Sequence, residues 1–150
     1  MTLEVRRAQV DEIFPLRHAV LRPGRPESAS VYAEDGTAVH IGAWDDDALV
    51  GCATVFPDPW RGGDDWPADA AAWRLRGMAV DPSRHRAGIG RRVLAAVVDA
   101  ATTGGAPLLW ANARTTALAF YEADGWTVAG EEFIAADTGL AHKPIVRALA

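Results

Sequence analysis

Two glycines one residue apart stand where a strand gives way to a helix. Met78-Ala79-Val80-Asp81-Pro82 leads into His85-Arg86-Ala87-Gly88-Ile89-Gly90-Arg91-Arg92. Glycines at such a junction let a ligand come close to the backbone. The helix start then offers its first amide N–H groups and the positive dipole end to an anion such as pyrophosphate. A P-loop would need Gly-Lys followed by Ser or Thr, and the chain has no Gly-Lys pair. A dinucleotide fingerprint would need a third glycine where Val93 stands.

Arginines form the second group. Arg76 lies in Leu75-Arg76-Gly77-Met78-Ala79-Val80, which otherwise reads as buried strand, and alternation puts it on the face of Met78 and Val80. A buried guanidinium needs an anion, either an acidic ligand or a structural partner such as Asp58 or Glu132. Arg22 ends a helix in Leu21-Arg22-Pro23, where a solvated cation is the plainer reading, and Arg114 follows Ala111-Asn112-Ala113. The planar fork of arginine matches carboxylate or phosphonate. Other titratable residues read as structural. His40 alternates with Gly42 and Trp44 as a satisfied core histidine, and Cys52 is small core filler. Consecutive Glu131 and Glu132 are edge-strand charges, of which at most one could face a site. His18 could border a pocket from the first helix, and Asp64-Asp65-Trp66 is a solvated loop.

The elements that must position these residues follow from periodicity. Leu3 to Arg7 is a first strand. Asp11 caps a helix through Leu21, with Ile13, Leu16 and Val20 on its apolar face and Pro15 in its first turn. Glu27 to Gly36 is a short helix or loop. Ala38 to Trp44 and Ala48 to Phe56 form a hairpin across Asp45-Asp46-Asp47, and residues 57 to 70 form one long loop. Ala71 to Val80 is a fourth strand, Ile89 to about Thr102 a helix, Leu108 to Ala111 a strand and Thr115 to Asp124 a second amphipathic helix. Strands at Trp126 to Ile134 and Ile145 to Leu149 finish the chain. This order predicts an α/β fold, a mixed α+β sheet with helices on its faces, in one domain over residues 1–150.

At 150 residues and 49% hydrophobic, the chain is long enough for a real core. No apolar run reaches the ~18 residues of a membrane helix, and MTLEVRRAQV reads as neither signal peptide nor anchor. A lone Cys52 excludes an internal disulfide and a cysteine zinc cage, and fits a reducing cytoplasm. A formal charge of -5 argues against nucleic acid or acidic membranes as partners. Yet 14 of the 15 basic residues are arginine, so an acidic ligand would require cations gathered locally.

The loop, with flanking segments in register, resembles the GNAT acetyltransferases over nearly the whole chain. The pattern R/Q-x-x-G-x-G/A is met from His85 to Gly90, with His85 replacing the usual Arg or Gln. Leu75 to Pro82 looks like the family's fourth strand, and Asn112, Ala117, Phe120-Tyr121-Glu122 and Gly125-Trp126 look like its later segment. The resemblance implies a twisted mixed sheet splayed between strands 4 and 5, helices on both faces and acetyl-coenzyme A as cosubstrate. It implies that the backbone at Met78, Ala79 and Val80 holds the pantetheine arm, and that amides from Arg86, Ala87, Gly88, Ile89, Gly90 and Arg91 take the pyrophosphate. Asn112 would lie near the splay, Ala117 and Phe120 along the coenzyme, with Phe120 as core or pocket wall. Tyr121 would be the acid that protonates the departing thiolate.

A closer resemblance, to the glyphosate N-acetyltransferases, rests on four segments: Leu16-Arg17-His18 with Leu21-Arg22-Pro23, Leu75-Arg76-Gly77-Met78-Ala79, Asn112-Ala113-Arg114-Thr115, and Gly139-Leu140-Ala141-His142. It implies that Arg22, Arg76 and Arg114 bind acidic groups of the acceptor and that His142 is the base that readies the amine. Ala141 stands where a proline is usual and Lys143-Pro144 follows. Histidine suits the role because it titrates nearest neutrality, and nearby cations disfavour its imidazolium; otherwise His142 is a surface histidine in the final turn. The expected enzyme transfers acetyl to a small anionic amino acid or aminophosphonate in a ternary complex, as monomer or homodimer and without a metal. Acetylation of an antibiotic or peptide amine, or a non-catalytic coenzyme-binding module, are the alternatives.

Overall fold

A computed structural model describes residues 2–62, 71–84 and 87–149. These fall into two compact units, Met1–Phe56 with Leu75–Ala100, and Pro57–Arg74 with Ala101–Ala150. Asp64-Asp65-Trp66 of the long loop, and His85 and Arg86 of the glycine loop, lie outside the described residues.

In the first unit, β1 (Leu3–Ala8) runs antiparallel to β2 (Val39–Asp45), pairing Leu3 with Asp45 through Ala8 with His40. β2 returns as β3 (Ala48–Pro57) across a tight turn in which Asp46 takes φ +51°. α1 (Val10–Leu21) starts at Gln9 rather than at the expected Asp11. The Gln9 N–H donates to the Glu12 carboxylate at 2.9 Å, and the Glu12 N–H donates to the Gln9 carbonyl at 3.1 Å. The Gln9 amide, then Arg6, holds the Glu12 carboxyl below the usual carboxylate range. Asp11 falls inside the first turn, where its charge still favours the helix dipole. Ala8, Ile13, Cys52 and Ala79 form a core cluster against which Leu16, Val20 and Leu21 pack.

One side chain at the centre of this unit is charged. Arg17 has no exposed surface. Its guanidinium donates to both Asp35 oxygens at 2.9 and 3.0 Å, to the Ser30 carbonyl at 2.9 Å and to Thr54 Oγ1 at 2.6 Å. Thr54 passes the network to His40, whose Nδ1 lies 2.9 Å from Oγ1 and whose Nε2 lies 2.9 Å from the Asp35 carbonyl. A carbonyl only accepts, so Nε2 carries the hydrogen and Nδ1 accepts from the threonine hydroxyl. His40 is thus the satisfied core histidine that alternation suggests.

In the second unit, β5 (Leu108–Arg114) lies antiparallel to β8 (Ala141–Ala148), from Leu108 with Ala148 to Arg114 with His142. The start of β4 (Trp73–Val80) pairs in parallel with β5 through Trp73 with Leu109 and Arg74 with Trp110, so the strand pairing is mixed. The single helix expected from Thr115 to Asp124 is a 3-10 turn, Thr115–Ala117, followed by the short α3 (Leu118–Glu122). The single strand expected from Trp126 to Ile134 is two short ones, β6 (Thr127–Val128) and β7 (Phe133–Ile134), both on β8. Pro144 explains the break, because it has no N–H to give a ladder, and a Cβ on Gly130 would lie 2.5 Å from its ring. β8 also begins earlier than expected, which puts His142 on a strand and not in a final turn.

Arg17 generates the first test. Replacing it by Met leaves the partly buried Asp35 without its cation, and removing one partner of a buried pair typically costs about 3–5 kcal/mol; a urea midpoint within error of wild type would refute the network's importance. Burial pushes the Asp35 carboxyl up, but the Arg17 hydrogen bond, the Tyr32 amide and the charge of Arg17 bring it net below its usual value. Its contribution to stability is therefore present above the unfolded value near ~3.9 and is lost as pH falls through the folded value. Asp35→Asn should show a smaller loss of stability on acidification than wild type.

Candidate active site

Along β4, Leu75 and Ala79 are buried while Arg76, Met78 and Val80 are half-buried. Gly77 interrupts the strand at φ +66°, and a Cβ there would meet the Tyr32 ring at 3.1 Å and Arg17 Nε at 3.2 Å. Beyond β4, Asp81 Oδ1 accepts from the Ser83 amide at 3.0 Å and its hydroxyl at 2.9 Å, shaping the turn Pro82–Arg84, whose Arg84 pairs with Asp45. Gly88 then takes φ +76° on the surface, and α2 (Ile89–Thr103) begins. The Arg92 amide reaches back to the Gly88 carbonyl at 3.2 Å, so the N–H groups of Ile89, Gly90 and Arg91 precede the first intrahelical bond. No acidic residue stands in that first turn. Gly51 seats the turn on β3, since a Cβ there would lie 2.8 Å from Ile89 and 3.2 Å from Val93. Helix start, glycine and strand end thus meet at one corner, the kind of geometry that favours an anion.

Arg76 also has a protein partner, though neither of the two suggested by sequence. Its Nη1 lies 3.4 Å from Glu34, and its guanidinium carbon lies 3.9 Å from the Tyr32 ring centroid. Asp58 pairs instead with Arg74, at 3.8 Å. Arg17 approaches the same ring, at 4.0 Å. Burial raises the Tyr32 phenol above its usual range, and the charges of Arg17, Arg76 and Arg22 pull the other way. Arg22, the residue after α1, donates to the Leu21 carbonyl at 3.0 Å. Arg22 and Arg76 therefore act on one ring. Sequence reading missed Arg17, Tyr32 and Glu34. The signal for Arg17 was present: it follows Ile13 by four residues and precedes Val20 by three, a charge on the apolar stripe.

The other candidates lie in the second unit. Arg114 and His142 are direct cross-strand partners, so their side chains share a face. His142 Nδ1 lies 2.9 Å from the Leu140 carbonyl, and its ring stacks on Phe133 with centroids 5.8 Å apart. Because the carbonyl only accepts, Nδ1 carries the hydrogen and the neutral ring keeps its lone pair on Nε2. Asn112, two residues before Arg114 on the same face, is exposed. Tyr121 is buried edge-on between Phe120, at 5.1 Å, and Trp126, at 5.4 Å, and burial pushes its phenol well above the usual range. Phe120 is itself 37% exposed, so it does not belong to the core. Ala117 closes the 3-10 turn before α3. Glu131 and Glu132 are exposed between β6 and β7 rather than on an edge strand, and His18 bonds Ser30 Oγ at 2.6 Å.

The sequence profile of the acetyltransferase (GNAT) family matches residues 8–126. The chain belongs to the GNAT acetyltransferase family. Among relatives, an uncharacterized N-acetyltransferase of Bacillus subtilis (strain 168), YitI, is 29% identical over 133 residues, 87% of each chain. An acyl-CoA N-acyltransferase structure from Pseudomonas aeruginosa superposes with a TM-score of 0.73 at 17% identity, covering 98% of this chain and 100% of the other. A structure of the NatC complex bound to Gag peptide and CoA matches with a TM-score of 0.76 at 15% identity, covering 100% of both chains. The fold is the acyl-CoA N-acyltransferase fold of the GNAT family, and the chain's reaction class is acetyl-coenzyme A-dependent N-acetyl transfer. No described helix of this GNAT chain is long and apolar enough to cross a membrane.

The Leu140 carbonyl fixes the His142 tautomer, and nitrogen-15 NMR of the neutral ring checks it. The unprotonated signal is expected at Nε2; finding it at Nδ1 would remove the geometric basis for a base at this position.

Proposed function

We propose that this GNAT enzyme acetylates the amine of a small anionic acceptor, an amino acid or aminophosphonate, by direct transfer in a ternary complex. The observation that carries the reading is the pairing of His142 with Arg114, a ring whose Nδ1 is held by the Leu140 carbonyl beside a guanidinium on the same strand face. Arg114 engages the acceptor's acid, and Nε2 takes the proton that the ammonium loses. The amine nitrogen then forms a bond to the thioester carbonyl carbon, the C–S bond breaks, and the second proton that the nitrogen sheds restores the phenol once Tyr121 has protonated the sulfur. Tyr121 meets the departing sulfur as an O–H donor, because burial keeps its phenol protonated through the neutral range.

Arg22 and Arg76 supply further forks for acidic groups, as in the glyphosate N-acetyltransferases that the sequence resembles. On the coenzyme side, the backbone at Met78, Ala79 and Val80 holds the pantetheine arm. The amides at Ala87, Gly88, Ile89, Gly90 and Arg91, with Arg86 before them, take the pyrophosphate. Asn112, Ala117 and Phe120 border the arm. Direct transfer is favoured over an acyl-enzyme by Cys52. It is the one thiol in the chain, buried, with burial pushing it up to about 12, so no thiolate is at hand to take the acetyl group.

Thiol release with a panel of amino diacids, aminophosphonates, neutral amines and polyamines tests the acceptor class. Turnover confined to the cationic amines would refute it. Arg114→Ala should raise KM for the acid acceptor at least about tenfold while leaving KM for acetyl-coenzyme A unchanged. Tyr121→Phe preserves the aromatic packing and should lower kcat about 10²–10⁴-fold; an unchanged kcat makes Tyr121 a packing residue only. Double-reciprocal plots should intersect, and parallel lines would mean an acyl-enzyme.

A further inference from the structure

We propose that Glu34 is a specificity-determining residue, a tethered carboxylate that competes with the acceptor's acid for Arg76. The inference rests on the anionic-acceptor reading and adds what sets the strength of acid required. Arg76 makes one ion-pair contact with Glu34, Nη1 to Oε1 at 3.4 Å, and the two side chains are 28% and 34% exposed. A pair so solvated is weak and exchangeable. The guanidinium keeps its place by another contact, since the Tyr32 ring lies 3.9 Å from its carbon. Tyr32 is held in turn: its amide donates to Asp35 Oδ2 at 2.9 Å, and Asp35 is locked to the buried Arg17. Withdrawing Glu34 therefore leaves Arg76 in position with its remaining donors presented.

Glu34 is fixed where it can compete. Its carbonyl accepts the amides of Thr37 at 3.1 Å and Ala38 at 2.9 Å, and the next residue is Asp35. A carboxylate anchored in this way has a high effective concentration at Arg76. An acceptor acid that makes one contact only matches it, whereas a phosphonate or a carboxylate engaging two N–H groups displaces it. Glu34 also repels a dianion more than a monoanion, so removing its charge helps a phosphonate most.

The test is a double-mutant cycle read as KM for 2-amino-3-phosphonopropionate, for aspartate and for acetyl-coenzyme A in wild type, Glu34→Gln, Arg76→Ala and the double variant. Glu34→Gln is expected to lower KM for both acids by about two- to fivefold, the range of an exposed ion pair. KM for acetyl-coenzyme A should stay unchanged, and the gain should vanish in the Arg76→Ala background. Glu34→Ala removes the carboxylate by a different route and must behave alike. A KM that is unchanged or raised, or a gain that persists without Arg76, overturns the role of Glu34. In those cases, wild-type saturation by the acids and weakening by Arg76→Ala still uphold the acceptor reading. Wild type that turns over only neutral or cationic amines overturns the acceptor reading and this inference together.

Discussion

A guanidinium with no exposed surface must find hydrogen-bond acceptors inside the protein, and in the first unit that requirement arranges everything around it. Arg17 on α1 reaches the Ser30 carbonyl and the Asp35 carboxylate in one short stretch, and Thr54 on β3, 37 residues further along the chain than itself. Well-packed apolar residues could give as much stability, because desolvating a buried pair offsets most of its Coulomb attraction. The ion pair supplies direction instead. It fixes the turn that carries Tyr32 and Glu34, and Tyr32 then supports Arg76 from below the strand that bends at Gly77. A residue with no contact to any acceptor thus sets the geometry of one that is proposed to make such a contact.

The second unit depends on a different constraint, the N–H that Pro144 lacks within β8. On one edge β8 pairs along its length with β5; on the other, the neighbouring chain must leave the ladder opposite the proline and return, which gives β6 and β7 with Gly130 between them. The return brings Phe133 across from His142, where the two rings stack. The Leu140 carbonyl then decides which nitrogen of His142 holds the hydrogen. Lys143-Pro144 departs from the pattern of the glyphosate N-acetyltransferases, yet the departure lies beside His142 and shapes the strand that presents it.

Much of this was legible in the sequence, and what was not has particular causes. The glycine loop, the strand before it and the helix after it are set by local rules, so their bounds came within a residue or two. Trp126 to Ile134 reads as one element in the sequence because periodicity is blind to what a neighbouring strand will tolerate. Pro144 limits a partner from outside the segment. The cross-strand meeting of Arg114 and His142 depended on where β8 began, and nothing near His142 announces a strand that contains a proline. The Tyr32 cluster was invisible for a related reason. Residues 27–36 have no period, so their side chains gain meaning only when the apolar stripe of α1 is found to include a charge.

Charge balance shows why local arrangement outweighs composition. The chain carries 20 acidic and 15 basic residues, and several arginines are neutralised in place: Arg6 by Glu4 and Glu12, Arg84 by Asp45, Arg147 by Asp124. Around Tyr32, the charges of Arg17, Arg22 and Arg76 meet those of Asp35 and Glu34. Asp35 is committed to the buried Arg17 and is not exchangeable without loss of structure. The pair of Arg76 with Glu34 is the solvated, adjustable one. At contact distance such a pair matters more to a ligand than the net charge of the whole protein, whose field is screened within about 8–10 Å at ordinary salt. An acidic protein can therefore attract an acidic ligand, provided its carboxylates are tied elsewhere and the one left near the arginine is weakly held.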